Sequence, residues 1–338
     1  MGLLQRFARP EYRLGREGEG ERADPQPQRQ SDAAATQVAP LPVGEPLAVP
    51  AQSSVQEGGD GVTSTAPFAP DVHAGHQQQQ PAQPVARALK VIAFANQKGG
   101  VAKTTTTLNL AVAFAEAGHR VLAVDMDPQG NLTMSQGIDP DTVEKSMYHV
   151  LVDGMPIRDV IRKREIDVAC ASIDLAGAEI AMSMKIGRER SLEKALKAVR
   201  DDYDFVCIDT PPSLGLLTIN ALTAADKVIV PVQCEYLSMR GLIQLQNTLS
   251  MIREELNPDV EIEGILPTLV DTRTVHAKEA IEILEENFGD RVFATRIRKT
   301  IRFAEAPVKG TSVLKYDPEG TAAESYRDLA KEVLENGR

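Results

Sequence analysis

NQKGGVAKTTTTLN, residues 96–109, stands between an apolar run, Val91-Ile92-Ala93-Phe94-Ala95, and an alanine- and leucine-rich stretch over 108–117. The order is strand, glycine-containing loop, helix. A loop in that position turns backbone N–H groups inward, and the following helix adds the positive end of its dipole. Together they make a cradle for phosphate. Lys103 has the reach for β- and γ-phosphates, and the Thr104 hydroxyl suits Mg²⁺.

The spacing departs from G-x-x-x-x-G-K-[ST] at both glycines. Gln97 stands at the first and Ala102 at the last, while Gly99 and Gly100 supply the flexibility. The competing reading is a glycine-rich turn that binds nothing. It does not account for a Lys-Thr pair followed downstream by acidic strand ends.

Those ends are explicit. VLAVDMDPQGN, residues 121–131, closes a strand with Asp125 and Asp127, which share a side-chain phase in extended chain. Phe205-Val206-Cys207-Ile208 closes with Asp209 and runs into DTPPSLG, residues 209–215. A lone strand-ending aspartate is usually a helix cap or a turn former. Three of them beside a phosphate loop read instead as a shell for Mg²⁺, which keeps its waters and takes few protein ligands.

Around this core the chain alternates. Strands are predicted at 91–95, 121–125, 205–209, 227–232 and 262–270. Helices are predicted at 104–117, 192–200, 216–224, 239–255, 278–287 and 322–335. Runs apolar throughout, such as Val228-Ile229-Val230, belong to strands buried on both faces. The fold class is therefore α/β, a mostly parallel twisted sheet with helices on both faces, and ligands bind beyond the strands' carboxyl ends. No internal repeat is evident.

Residues 1–87 read differently. Eleven of the 21 prolines fall there, with few aromatics, and such a segment is expected to be a disordered Pro/Gln-rich extension preceding one domain over 88–338. Within it, Leu3, Leu4, Phe7 and Leu14 alternate with Arg6, Arg9 and Arg13: a short amphipathic docking element, interrupted at Pro10, or an unstructured start. His73 and His76 lack further ligands and read as solvated. Leu3-Leu4 is too short for the core of a signal peptide, and no apolar run reaches membrane-spanning length. Cys170, Cys207 and Cys234 fit no zinc spacing and read as buried free thiols in a reducing cytoplasm.

KGGVAKTT, residues 98–105, resembles the deviant Walker A motif of the ParA/MinD ATPases, and NQKGGVAKTTTTLNLA resembles the partitioning ParA (Soj) branch. The resemblance extends through ASIDLAGAEI, PVQCEYLSMRGL, GILPTLVDTRT and RFAEAPVKG, and so covers about 88–338. It implies a P-loop NTPase of the deviant Walker A type, an ATPase using ATP and Mg²⁺. Nucleotide would be bound by Lys98, Gly99, Gly100, Val101, Ala102, Lys103, Thr104 and Thr105. Thr104, Asp209 and Asp125 would serve the metal. Asp127, in a switch-like DMDPQGN, would orient the attacking water, and Lys98 would reach a partner subunit's nucleotide in trans, as an arginine finger does. Without the resemblance, Lys98 is a solvated loop lysine.

Residues 291–310 hold six basic side chains against Glu305 alone, inside a chain of net charge −11. A solvated charged face and a phosphate-backbone surface both fit that run. By resemblance, Arg273 and Arg302 carry nonspecific DNA binding, with Arg298 and Lys299 adding to it. Arg298-Lys299-Thr300 departs from the Pro-Arg-Asn of relatives. The implied partners are a second copy with ATP, nonspecific duplex DNA and a ParB-like activator, at a cytoplasmic, nucleoid-associated location. A MinD-like membrane ATPase needs a basic amphipathic C-terminal helix, and the last helix here is acidic. A nucleotide-dependent scaffold with little turnover is the non-enzymatic alternative. Iron–sulfur relatives are disfavoured, since no cysteine pair lies near the nucleotide motifs.

Overall fold

The computed structural model describes residues 89–234 and 238–336. The extension expected over 1–87, with its arginine-bearing start and two histidines, lies outside the described residues.

Five strands appear where apolar runs predicted them: β1 (Lys90–Phe94), β2 (Val121–Asp125), β5 (Phe205–Asp209), β6 (Lys227–Gln233) and β7 (Glu261–Thr268). Two more, β3 (Ile161–Lys163) and β4 (Asp167–Ala169), escaped the sequence reading. Each is three residues long, and β3 is a polar edge with only Ile161 half-buried. Their pairing, more than their composition, makes them strands. The sheet runs β3-β4-β2-β5-β1-β6-β7, with every pair parallel except β3/β4.

Side chains on a strand alternate between faces, and here both faces are apolar. Val91, Ala93, Leu122, Val124, Val206, Ile208, Val228 and Val230 enter one core. Ile92, Phe94, Val121, Ala123, Phe205, Cys207 and Ile229 enter the other. The first core is covered by helices Met147–Val152, Ser191–Leu196, Leu216–Ala224 and Ser238–Glu255. The second is covered by α1 (Lys103–Glu116) and the C-terminal helix Thr321–Asn336, through Leu110, Phe114, Tyr326 and Leu329. Phe114 stacks on Phe205 with ring centres 4.4 Å apart, fixing α1 on β5. Such a pair contributes ~0.5–1.5 kcal/mol beyond the area it buries.

The helix α1 opens with four consecutive threonines, poor helix formers. Three of their hydroxyls have assigned partners: Thr104 bonds Asp209, Thr106 meets the Tyr326 hydroxyl, and Thr107 bonds the Lys103 carbonyl oxygen. The propensity lost there is exchanged for tethers to β5 and the C-terminal helix.

Cys170 and Cys207 are buried free thiols, as expected, whereas Cys234 is only half-buried. Among the described residues, no helix is long and apolar enough to cross a membrane.

Candidate nucleotide site

The phosphate loop leaves β1 at Asn96. Its side-chain Nδ2 donates to the Pro231 carbonyl oxygen of β6 at 2.7 Å, and its side-chain Oδ1 accepts the Lys98 N–H at 3.0 Å. Gly100 and Ala102 both take left-handed backbone, at φ 72° and 65°. Ala102 stands where the common pattern has glycine, and it caps α1 in that conformation without a side-chain bond. Thr268 of β7 donates its hydroxyl to the Val101 carbonyl oxygen at 3.0 Å, holding the loop from the other side.

Lys103 is buried and curls back, its Nζ donating to the Lys98 carbonyl oxygen at 3.4 Å. Burial pulls its ammonium below the ordinary lysine range, against the opposing pull of Asp209 and Asp127. Thr104 donates to Asp209 Oδ2 at 2.6 Å, and Thr107 reaches Asp209 Oδ1 at 3.4 Å. Asp209 is fully buried, and burial, with Asp125 beside it, pushes its carboxyl up to about 8. A carboxylate so placed is costly without a cation. The donor set, a hydroxyl and a carboxylate facing a phosphate cradle, therefore fits Mg²⁺. Among the described residues no three His, Cys, Asp or Glu side chains converge on a metal position.

The other two aspartates have separated roles. Asp127 is buried, lines the cavity, and accepts the Gln129 N–H at 3.0 Å. Asp125 turns to the chain around it: Thr133 N–H and hydroxyl donate at 2.9 and 2.7 Å, and the Asp127 N–H at 3.1 Å. Burial lifts its carboxyl to about 6 despite those bonds. Its geometry supports the Asp127 segment from behind. Thr133, which also accepts the Ala171 N–H at 3.0 Å, was invisible in the sequence because nothing in NLT marks a carboxylate's partner.

Lys98 points elsewhere. Its Nζ donates to Gln233 Oε1 at the end of β6, at 3.4 Å, and it is absent from the cavity lining. The cavity itself, about 1080 Å³, lies over Gly99, Gly100 and residues 102–105. Its far wall comes from Asn131 and Met134 on one side and from Phe303, Pro307 and 310–311 on the other. RFAEAPVKG, which no nucleotide motif marks, forms helix Arg302–Val308 and this wall.

The basic residues divide. Val270 bridges Arg298, and Lys299 N–H donates to the Val270 carbonyl oxygen at 3.2 Å, which brings 298–299 to the Asp271–Arg273 turn. Arg273, with a side chain 88% exposed, is paired to Asp271 at 2.8 Å. Its hydrogen bonds, with Lys299 assisting, hold the Asp271 carboxyl down to about 2. Arg298 and Lys299 are exposed. Arg302 is placed differently, between Glu305 at 2.8 Å and Asp317 at 3.2 Å and over the Tyr316 ring at 5.9 Å.

Residues 89–262 match the family model described as AAA domain. The chain is 50% identical over 251 residues to the sporulation initiation inhibitor protein Soj of Bacillus subtilis (strain 168), covering 73% of this chain and 99% of that protein. It is 42% identical to the chromosome partitioning protein ParA of Caulobacter vibrioides (strain NA1000 / CB15N), across 75% of this chain and 97% of that one. Among solved structures, it resembles cobyrinic acid a,c-diamide synthase from Mycobacterium smegmatis with bound ATP analog and magnesium. That likeness has a TM-score of 0.68 at 41% identity, over 74% of this chain and 96% of the other. A Lys103-Thr104-Asp209 constellation at the head of a parallel sheet, joined to near-full-length likeness to Soj and ParA, places this chain in the Soj/ParA family of P-loop ATPases.

Proposed function

We propose that this ATPase drives DNA partitioning: ATP binding pairs two copies, the pair holds duplex DNA without sequence preference, and a ParB-like protein triggers hydrolysis and release. The observation that carries the DNA step is the exposed cluster of Arg273, Arg298 and Lys299, gathered by the Val270–Arg298 bridge on a chain of net charge −11. Phosphate-backbone binding needs clustered cations and no base-reading geometry.

At the site, the N–H groups of Gly99, Gly100 and 101–105 cradle the phosphates, and Lys103 neutralises their charge. Asp127 orients the attacking water. Lys98, directed away from its own cavity toward Gln233, serves the nucleotide of the second copy, so hydrolysis waits for pairing. Thr104 and Asp209 hold Mg²⁺, which when bound supplies charge for the terminal phosphates.

Likeness to the M. smegmatis synthase raises a diamide-synthase alternative. The 50% identity to Soj across 99% of that protein favours partitioning.

Phosphate release with and without duplex DNA tests turnover, and size exclusion with ATP separates the roles. Lys103→Ala is expected to lose nucleotide and stay monomeric. Asp127→Ala is expected to pair and stay paired. Lys98→Ala is expected to bind nucleotide without forming the productive pair. Indistinguishable variants would overturn these assignments.

A further inference from the structure

Glu165 lies in the turn between β3 and β4, well away in sequence from every nucleotide motif. Its carboxylate gathers the donors of a single loop. Thr311 Oγ1 donates at 3.1 Å, Ser312 N–H at 2.9 Å and Ser312 Oγ at 2.5 Å. A fourth donor, Gln136 Nε2, lies at 3.4 Å and comes from a different segment.

Those two segments are opposite walls of one cavity. Gly310, Thr311 and Val313 line it on one side. Gln136 directly follows helix Asn131–Ser135, whose Asn131 and Met134 line it on the other. Where the walls meet there is no space for a side chain: a Cβ on Gly310 would lie 2.9 Å from the Gly137 Cα, and both glycines have positive φ. From α1, Asn109 accepts the Val313 N–H at 2.8 Å and fixes the loop's other end. Ser312 and Gln136 are both almost fully buried, so their donors need partners inside the protein.

We propose that Glu165 is a positioning residue for nucleotide binding: it ties the 310–313 wall to the segment that carries Asp127, and thereby fixes the width of the cavity without touching the ligand. This rests on the nucleotide reading above. A carboxylate suits the task because it accepts on both oxygens and donates nothing, so three donors of one loop and one of another converge on it. Serine hydroxyl and backbone N–H of the same residue bound to one carboxylate leave Ser312 no freedom to slide. The wall is thereby joined to the β3–β4 turn across 147 residues of sequence, and through Gln136 to the end of helix Asn131–Ser135.

Glu165→Gln keeps the size and halves the acceptor capacity. In the full chain, at temperatures well below melting, equilibrium binding of a fluorescent ATP analogue is expected to weaken roughly tenfold. KM for ATP rises with it, and the loss falls in KM rather than kcat, as expected when ground-state binding is removed. Ser312→Ala is expected to weaken binding roughly threefold, and adding it to Glu165→Gln is expected to cost clearly less than the sum of the two losses, because the variants share the Ser312 Oγ–Glu165 contact even though that hydroxyl also accepts the Lys315 N–H as the cap of helix Val313–Tyr316. Ser312→Ala carries the test if Glu165→Gln does not fold. Unchanged nucleotide affinity in both variants, with only a lower melting temperature, would reduce Glu165 to a structural tie. Independent, additive losses would likewise overturn the proposal. If the unaltered chain binds no ATP analogue, the nucleotide reading itself fails, a result distinct from equal binding by chain and variant.

Discussion

Thr104 donates its hydroxyl to Asp209 at 2.6 Å, across 105 residues of sequence, and so joins the first turn of α1 to the end of β5. One bond thereby aligns the phosphate cradle with the carboxylate that faces it. Thr104→Ala is expected to weaken nucleotide binding at least tenfold when Mg²⁺ is present, the order of loss for a charge-assisted bond. In EDTA, variant and unaltered chain are expected to bind nearly alike. Equal loss in both conditions would mean that Thr104 serves the loop's shape and not the ion.

Asp209, and with it Asp125, gives the ligand-free protein a defined pH response. Burial raises both carboxyls, to about 8 and about 6. A raised carboxyl means the folded state holds its proton more tightly than the unfolded state does. Stability is therefore greatest below the unfolded value and falls as pH rises from about 4 toward about 8. Mg²⁺ with nucleotide binds the ionised form, so its stabilising effect is expected to grow over the same window. Melting temperatures at pH 6 and pH 8.5, with and without Mg²⁺ and nucleotide, check both slopes. A ligand-free melting temperature that rises across this range would contradict the burial of Asp209.

Ala102 occupies a left-handed position that glycine fills without strain. An L-residue there costs ~1–2 kcal/mol, offset by the ~0.4–1 kcal/mol that alanine gains through its stiffer unfolded chain. Ala102→Gly is thus expected to stabilise the protein by ~0.5–1 kcal/mol, a rise in melting temperature of roughly 1–4 °C. A lower melting temperature would show that the loop does not hold this conformation.

Most of the architecture was legible because its strands are apolar in both phases. Ile92 and Phe94 declare one core, Val91 and Ala93 the other. β3 and β4 were not, since Ile161-Arg162-Lys163 and Asp167-Val168-Ala169 are too short for a period to show. Lys103, Thr104 and Asp209 could be found because motif spacing names them. Thr133 and Glu165 could not, because their partners lie 8 and 38 residues away for Thr133 and up to 147 away for Glu165, and no motif encodes such a partner. Arg302 shows the same limit: Glu305 stands three residues on, visible in sequence, but Asp317 reaches it only in the fold.

That difference predicts unequal roles among the arginines. Arg273→Glu is expected to lower the log–log salt slope of DNA binding by about 2 in a paired protein, one contact per subunit. Arg302→Ala is expected to lower it by less than about 1, and to lower the melting temperature, since Glu305 and Asp317 lose the cation between them. Equal losses would put Arg302 back on the DNA surface as an equal contact.

Retention on unrelated duplex DNAs, measured with ATP, with ADP and without nucleotide over a range of salt, tests the partitioning account most directly. The account predicts retention with ATP alone, equal across sequences, with a salt slope of about −5 for three phosphate contacts per subunit, Arg273, Arg298 and Lys299, doubled by pairing. It predicts loss of that retention in Arg273→Glu combined with Lys299→Glu, with ATP-dependent pairing preserved. No ATP-dependent retention by the unaltered chain at low salt would contradict it.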